Sequence, residues 1–324
     1  MLGKMENREL IKAYSAWAIV SIFWGTTYLA IRIGVEVLPP ALFAGIRFLV
    51  AGLIFIPILS LKGYSLPSKK DLIPISITGI LLLTVANGTV VWAEQWVPSS
   101  LAALIIASIP FFMVGMESLM PNGEKLSLKK VSGILIGFSG IFLLLWPDLK
   151  GSINSAYLKG ILGLVIATIA WAAGSIYSKH RDIKTAPLMS AAFQMLIAGA
   201  VLTLIGALKG EFSQFTFDPK GMAALVYLMV FGSLIGYSAY IYALAKLPTA
   251  TVSTYAYINP VIAVILGWLV LDERLDWIVV LATVVILLGV LLVKSGARVS
   301  KSKMSSAETT EKKIPEGSLA LSDS

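Results

Sequence analysis

The sequence contains no cysteine and a single histidine, and these absences exclude several kinds of chemistry. Without cysteine the chain forms no disulfide, thiolate nucleophile or iron–sulfur cluster. His180 lies between Lys179 and Arg181 and has no partner at metal-ligand spacing, so neither a metal site nor a cofactor is expected. The chain also lacks a GxxxxGK[ST] phosphate-binding loop.

Charged residues are scarce as well. They make up 14% of the 324 residues, against about 25% in soluble domains, while 57% of the residues are hydrophobic and the mean hydropathy is +0.85. This composition is typical of an integral membrane protein. The net charge of +8 would suit a nucleic-acid partner, but the placement of the basic residues argues against one.

Ten apolar segments are each about long enough to cross roughly 30 Å of hydrocarbon as a helix. They cover residues 13–35, 41–60, 72–93, 98–119, 128–146, 158–178, 187–208, 221–245, 250–271 and 277–294. The first is too long for a signal peptide and is interpreted as a retained helix. The sequence therefore predicts an all-α integral membrane protein with ten transmembrane helices in a lipid bilayer.

The basic residues predict the orientation of these helices. With residues 1–12 placed in the cytoplasm, nineteen of the 26 Lys and Arg residues fall on the cytoplasmic side and five on the other. By the positive-inside rule both termini are cytoplasmic, and the basic charge is a topology signal instead of a nucleic-acid footprint. The polar stretch 295–324 is expected to be a disordered cytoplasmic tail.

The two halves of the chain, 13–146 and 158–294, align with each other at a near-constant offset of 147 to 150 residues. The alignment pairs Trp24 with Trp171, Arg47 with Gln194, Gly52 with Gly199, Asn87 with Tyr237, Pro110 with Pro260, "GEKL" (123–126) with "DERL" (272–275), and Gly140 with Gly289. Because each half has five helices, the second enters the membrane from the opposite side. The halves are thus predicted to be inverted repeats, an architecture of secondary transporters that bind substrate between the repeats.

Three stretches carry a family pattern: "FWGTTYLAIRIGVEVLPPALFAGIRFLVAGLI", "NGTVVWAEQWVPSSLAALIIASIPFF" and "GSLIGYSAYIYALAKLPTATVSTYAYINPVIAVILGWLVLDERL". They resemble the EamA family of the drug/metabolite transporter superfamily over residues 13 to 294. The resemblance implies ten helices in two inverted repeats, a bacterial inner-membrane location and no ATP-binding domain. It also implies export of small metabolites such as amino acids, or of amphipathic drugs, without naming a substrate.

Prolines and polar residues inside the segments are candidates for a substrate cavity. Pro110 and Pro260 lie near mid-membrane, where each removes a backbone donor and is expected to break its helix, either lining a cavity or making a packing kink. Tyr255 and Asn259 share a helix face just before Pro260. They are candidates for substrate contact, with interhelical hydrogen bonding as the alternative.

Trp24, Trp171, Asn87 and Tyr237 extend this set. The two tryptophans lie deep in their segments, away from the interfacial belts in which tryptophan is common, and small residues follow each. They are interpreted as cavity walls, with core packing as the alternative. Asn87 and Tyr237 place polar groups at one level of the third and eighth helices, as substrate contacts or helix–helix hydrogen bonds.

Arg47 carries a charge about 10 Å inside the second segment and therefore needs water or an anion. Glu94 and Glu36 are candidate partners, for which Arg32 competes. The favoured interpretation is a structural or gating ion cluster of Arg32, Arg47 and Glu94, and the alternative is direct recognition of a substrate carboxylate. The "DERL" loop is expected to be solvated.

The function predicted from these features is a secondary transporter that exports small organic solutes by alternating access. An integral-membrane enzyme acting on lipid-like substrates and a passive channel are the alternatives, and the lack of aspartate inside any segment disfavours an enzyme. Proton coupling is left open, with Glu94 as its candidate carrier. The oligomeric state is also open, because the GxxxG spacing of Gly133 and Gly137 suits either internal packing or an oligomer contact.

Overall fold

The computed structural model describes residues 7–120, 126–149 and 155–293, and within these ranges it consists of helices and loops without strands. The expected tail and part of the "GEKL" stretch lie outside them. Ten apolar helices follow in order: α1 Asn7–Val35, α2 Pro40–Leu61, α3 Lys69–Ala93, α4 Ser99–Ser118, α5 Leu128–Leu149, α6 Ser155–His180, α7 Pro187–Leu208, α8 Pro219–Lys246, α9 Tyr255–Leu271 and α10 Trp277–Val293. The first eight are long and apolar enough to span a membrane, and α9 and α10 are shorter. This order agrees with the ten predicted segments.

The two prolines have different effects on their helices. Helix α4 is interrupted between Ile106 and Ile109, and Pro110 follows at the start of its second piece, where a missing backbone donor is tolerated. Pro260 does not break α9, which continues from Tyr255 to Leu271. The chain is instead interrupted before Tyr255, after the short helix Thr249–Val252. The expected break at Pro260 is therefore wrong, because a single lost hydrogen bond leaves the helical turns on either side intact.

Helices α3 and α8 each contain a π-helical stretch. It covers Ile80–Asn87 in α3 and Leu228–Tyr237 in α8. Both stretches end at the residues that the sequence alignment pairs, Asn87 and Tyr237. Wide turns of this kind are rare and often accompany functional sites.

Helices α2 and α7 pack so closely that glycine is required at their contact. A Cβ atom at Gly52 would lie 2.6 Å from the backbone nitrogen of Leu196, and one at Gly199 would overlap the backbone of Leu49. The alignment pairs Gly52 with Gly199 and, at the same offset, Leu49 with Leu196. The contact is thus reciprocal between the two halves, as in an interface around a two-fold axis.

Helices α5 and α10 meet in the same reciprocal manner. A Cβ at Gly133 would lie 2.6 Å from the carbonyl oxygen of Gly289, and one at Gly140 would lie 2.9 Å from the backbone nitrogen of Ile286. Gly289 in turn lies against Gly137, which the alignment pairs with Ile286. The GxxxG spacing therefore serves packing within the chain, as small residues do between membrane helices.

Polar contacts gather at two opposite ends of the bundle. The end formed by loops 36–39, 94–98, 209–218 and 272–276 is called the Glu94 end, and that formed by loops 62–68, 181–186 and 247–248 the Lys179 end. At the latter, Lys179 Nζ donates to the carbonyls of Leu244 (2.8 Å) and Leu247 (3.0 Å). These carbonyls lie where α8 ends, so the lysine completes hydrogen bonds that the helix leaves open.

The loop before α10 is anchored at the Glu94 end. Glu273 Oε1 accepts hydrogen bonds from the backbone nitrogen and hydroxyl of Ser99, both at 2.7 Å, and its Oε2 accepts one from Ser100 N at 2.9 Å. Its carboxylate therefore caps the first turn of α4, where unpaired N–H groups attract negative charge. The expectation that the "DERL" loop is solvated is wrong for Glu273.

Candidate functional site: a central cavity

A cavity lies among helices of both halves, in the part of the bundle nearer the Glu94 end. It has a volume of about 60 Å³, which is room for a few water molecules. Five of the six residues predicted from the sequence line it, namely Trp24, Asn87, Trp171, Tyr237 and Tyr255. The structure thus brings together side chains from α1, α3, α6, α8 and α9.

Aromatic rings form one wall of this cavity. The ring centroids of Trp24 and Trp171 are 5.2 Å apart in an edge-to-face arrangement, and Trp24 also contacts Tyr255 at 5.4 Å. Tyr240 lies behind them, 5.1 Å from Trp24, and accepts a 3.1 Å hydrogen bond from Trp171 Nε1. Contacts of this geometry stabilise a rigid aromatic surface with polar edges.

Two hydrogen-bonded pairs lie at corresponding places in the two halves, and three of their four residues, Arg47, Asn87 and Tyr237, line the cavity. Arg47 Nη2 donates to Asn87 Oδ1 at 2.8 Å, and Tyr237 Oη donates to Gln194 Oε1 at 2.7 Å. In each half the pair joins the second helix to the third, at the residue that ends the π-helical stretch. One pair carries a positive charge and the other is neutral.

Asn259 lies outside the cavity. With its amide nitrogen facing the two nearest carbonyls, it donates to Ser21 O at 2.9 Å and to Tyr255 O at 3.2 Å. The side chain is 2% exposed and ties α9 to α1. The structure therefore favours the interhelical hydrogen bond over substrate contact for this residue, because α9 presents Tyr255 to the cavity and Asn259 to α1.

The expected ion cluster of Arg32, Arg47 and Glu94 is not formed. Arg32 forms a 3.7 Å ion pair with Glu36 and donates a hydrogen bond to the backbone carbonyl of Glu94. Arg47 is turned toward Asn87 and the cavity instead. The reason is distance: Glu94 follows Asn87 by seven residues, roughly 10 Å along α3.

Glu94 is fully buried, and neither carboxylate oxygen has a hydrogen-bond partner among the described residues. Burial raises the pKa of this carboxyl well above its usual range, the carboxylate of Glu273 raises it further, and Arg32 opposes both. A carboxyl in such surroundings favours its protonated form.

A second cavity, of about 220 Å³, opens at the Lys179 end and is lined by residues that include Lys179, Ser190 and Gln194. Gln194 belongs to this cavity and Tyr237 to the central one. Because the two side chains share a hydrogen bond and are each 1% exposed, their contact separates the two cavities.

Sequence reasoning missed three polar residues of the site as well as its aliphatic lining. Thr27 and Tyr28 line the cavity beside Trp24, and Tyr240 supports its aromatic wall. The signal was present in helical spacing: Thr27 and Tyr28 follow Trp24 by three and four residues, and Tyr240 follows Tyr237 by three. Residues at these separations share a helix face.

Ten apolar helices around a buried cavity of aromatic and polar side chains define a multi-pass membrane protein able to hold a solute. A family model, described as the EamA-like transporter family, matches residues 11–146 and again residues 158–295. The chain belongs to this family and is a membrane transporter by class.

Two curated relatives illustrate the similarity. The chain is 38% identical over 293 residues to the uncharacterized inner membrane transporter YedA of Escherichia coli strain K12, covering 90% of this chain and 94% of YedA. It is 30% identical over 248 residues to protein PagO of Salmonella typhimurium strain LT2, covering 76% of this chain and 81% of PagO. Its fold is similar to a protein crystal structure with a TM-score of 0.65 at 21% identity, covering 88% of this chain and 97% of that one.

Proposed function

We propose that the protein is a secondary transporter that exports small organic metabolites, such as amino acids or related amphipathic compounds including drugs, by alternating access. The location we propose is the plasma (inner) membrane, as the name of YedA states for that relative, with both termini in the cytoplasm. The two halves act as inverted repeats, and the central cavity is the substrate site. The basic residues support this orientation because they lie mainly on the side of the Lys179 end.

The observation that carries the proposal is the pair of cavities separated by one hydrogen bond. Alternating access requires a site that is closed toward one side at a time. The central cavity lies toward the Glu94 end, and the contact of Tyr237 with Gln194 closes it toward the Lys179 end. The reciprocal glycine contacts support exchange of the two halves, because the same packing is available to each.

Counterflow in proteoliposomes tests this function. The vesicles are loaded with one unlabelled solute from a panel of amino acids, organic acids and amphipathic drugs, and the labelled solute is added outside. We expect transient, saturable accumulation of at least one solute, which a passive channel does not produce. Trp24→Phe changes the cavity wall and should reduce it, whereas Trp277→Phe, a matched change at a residue 70% exposed, should leave it unchanged.

We further propose that export is coupled to protons through Glu94. Its buried carboxyl lies close to Tyr28 and Arg32 of α1 and to Glu273, and Arg32 in turn pairs with Glu36. On the side of α6, Lys159 is exposed and next to Gly160, which packs against the end of α3. Because no described group donates a hydrogen bond to either oxygen, taking up a proton neutralises the carboxyl without breaking a contact.

An imposed pH gradient tests the coupling with the solute that shows counterflow. We expect the gradient to drive net transport by the wild-type protein and not by Glu94→Gln, which should still exchange solute. Glu36→Gln is the matched control, because Glu36 is exposed at the same end and should tolerate the change. Equal responses of the wild type and Glu94→Gln to the gradient would refute the role of Glu94.

A further inference from the structure

Arg47 is a buried cation without a counter-ion among the described residues. It is 3% exposed, and none of the ion pairs that the described ranges contain includes it. Its described hydrogen bond is to the neutral amide of Asn87, and its Nε has no partner. A guanidinium offers five N–H donors, and the described hydrogen bond to Asn87 uses one of them in a residue that lines the cavity.

The protein's own acids do not supply the missing charge. Glu94, the nearest candidate along α3, keeps both carboxylate oxygens without a partner although it too is buried. None of the described residues that line the central cavity is acidic. A charge at this depth requires a partner or water, and the cavity holds room for a few water molecules when it is empty.

The surroundings of Arg47 indicate what replaces that water. Its guanidinium carbon lies 4.1 Å from the ring centre of Phe48, which limits the motion of the group, and Trp24, Trp171 and Tyr255 line the same cavity. A fixed guanidinium binds a carboxylate through two parallel hydrogen bonds, and aromatic rings favour an apolar body.

We propose that Arg47 anchors the carboxylate of the transported solute, so that the substrates are organic monoanions whose apolar body packs among the aromatic rings. This inference rests on the proposed function of the central cavity. The other half of the chain has neutral Gln194 at the paired position, and its amide oxygen is occupied by Tyr237. The site therefore offers one cationic anchor, which sets both the charge and the orientation of the solute.

Binding to the purified protein in lipid nanodiscs, measured by isothermal titration calorimetry, tests the inference without transport. The probes are acid and amide pairs with the same body: indole-3-propionate with indole-3-propionamide, 3-phenylpropionate with its amide, and hexanoate with hexanamide. We expect the acid of at least one pair to bind about 10- to 100-fold more tightly than its amide, the usual range for charge-assisted hydrogen bonds.

Variants test whether Arg47 causes the preference for the acid over the amide. Arg47→Gln introduces the residue found at the paired position and should bring the acid-to-amide ratio close to one, whereas Arg47→Lys should keep part of it. Arg32→Gln is the matched control and should keep the ratio, because Arg32 does not line the cavity. If Arg47→Gln does not fold, the comparison of acids with amides on the wild-type protein still shows whether the site prefers a carboxylate.

The absence of an acid preference in all three pairs, or an undiminished preference in folded Arg47→Gln, would overturn the inference. Counterflow separates this failure from failure of the proposed function. Saturable exchange of neutral or cationic solutes without any acid preference rejects the anchor and leaves the transporter. Tight, Arg47-dependent binding of an acid without counterflow leaves the anchor and rejects the carrier.

Discussion

The contact between Tyr237 and Gln194 is the place at which the two cavities are separated, so its removal gives the most direct test of alternating access. The hydroxyl of Tyr237 donates to Gln194 Oε1 at 2.7 Å, and both side chains are 1% exposed. Tyr237→Phe removes this hydroxyl and leaves the ring in place. If the contact holds the cavity closed toward the Lys179 end, the variant favours the state that is open toward that end.

The size of the effect follows from the single hydrogen bond that is lost. Between buried side chains of membrane helices such a bond contributes about 0.6–2 kcal/mol. At about 1.4 kcal/mol per factor of ten, the equilibrium should shift about 3- to 30-fold toward opening at the Lys179 end. The change is large enough to measure and too small to abolish folding.

Cysteine labelling measures this shift, and the chain is suited to it because it contains no native cysteine. Thr27→Cys places a reporter on the cavity wall, and a membrane-impermeant maleimide is applied to vesicles of either orientation. We expect Tyr237→Phe to raise the labelling rate from the Lys179 end about 3- to 30-fold. Tyr242→Phe is the matched control, since its hydroxyl bonds Glu9 at 3.0 Å outside both cavities. An unchanged rate in folded Tyr237→Phe, or an equal rise in the control, would refute the reasoning.

Three further predictions concern stability in detergent. Glu273→Gln places an amide N–H group against the N–H groups of the first turn of α4 and should lower the free energy of unfolding by about 2–4 kcal/mol. The matched control Asp218→Asn should cost under about 0.5 kcal/mol, because asparagine caps helices as well as aspartate does. The raised pKa of Glu94 means that its folded form holds the proton more tightly. The stability that the folded protein gains from this tighter proton binding is therefore full below the ordinary pKa of 4.5 and is lost as the pH rises above it. The melting temperature of Glu94→Gln should accordingly exceed that of the wild type by an amount that grows with pH. A difference that stays constant with pH would contradict this. Gly133→Ala should lower stability by about 1–3 kcal/mol, while Gly115→Ala, with nothing within 4 Å of the added Cβ, should not lower it.

The helices and the cavity walls follow from local signals in the sequence. A run of about twenty apolar residues must be helical in a bilayer, so composition alone predicts ten helices. Trp24, Trp171, Asn87, Tyr237 and Tyr255 stand out because each is a polar or amphipathic residue deep in an apolar segment. At that depth such residues are stable where they meet each other or a cavity, and the structure places all five around one cavity.

The remaining features depend on which helices become neighbours. Glu273 caps a helix that begins 174 residues earlier in the chain, and no local pattern carries that information. The same limit explains Arg47: its depth predicts the need for a partner but not whether Asn87 or Glu94 lies within reach. The residue composition of the π-helical stretches does not distinguish them from the rest of their helices. Within the second stretch the carbonyl of Gly232 accepts a 3.1 Å hydrogen bond from Trp24 Nε1, a contact across the bundle that local sequence does not predict.

The two halves agree in their packing and differ in their polar groups, and this division has a physical reason. Under the proposed alternating access, reciprocal contacts such as those of Gly52 and Gly199 would keep the interface equally stable when the halves exchange shapes. A solute with one charged group, however, needs one counter-charge, and a second arginine at the position of Gln194 would be a buried cation at the contact between the two cavities, without an acidic partner among the described residues that line either of them. Arg47 in one half and neutral Gln194 in the other are therefore the arrangement expected of a symmetric scaffold that binds an asymmetric monoanion. Because Gln194 lines the cavity at the Lys179 end, the double variant with Arg47→Gln and Gln194→Arg should lose the acid preference of the central cavity.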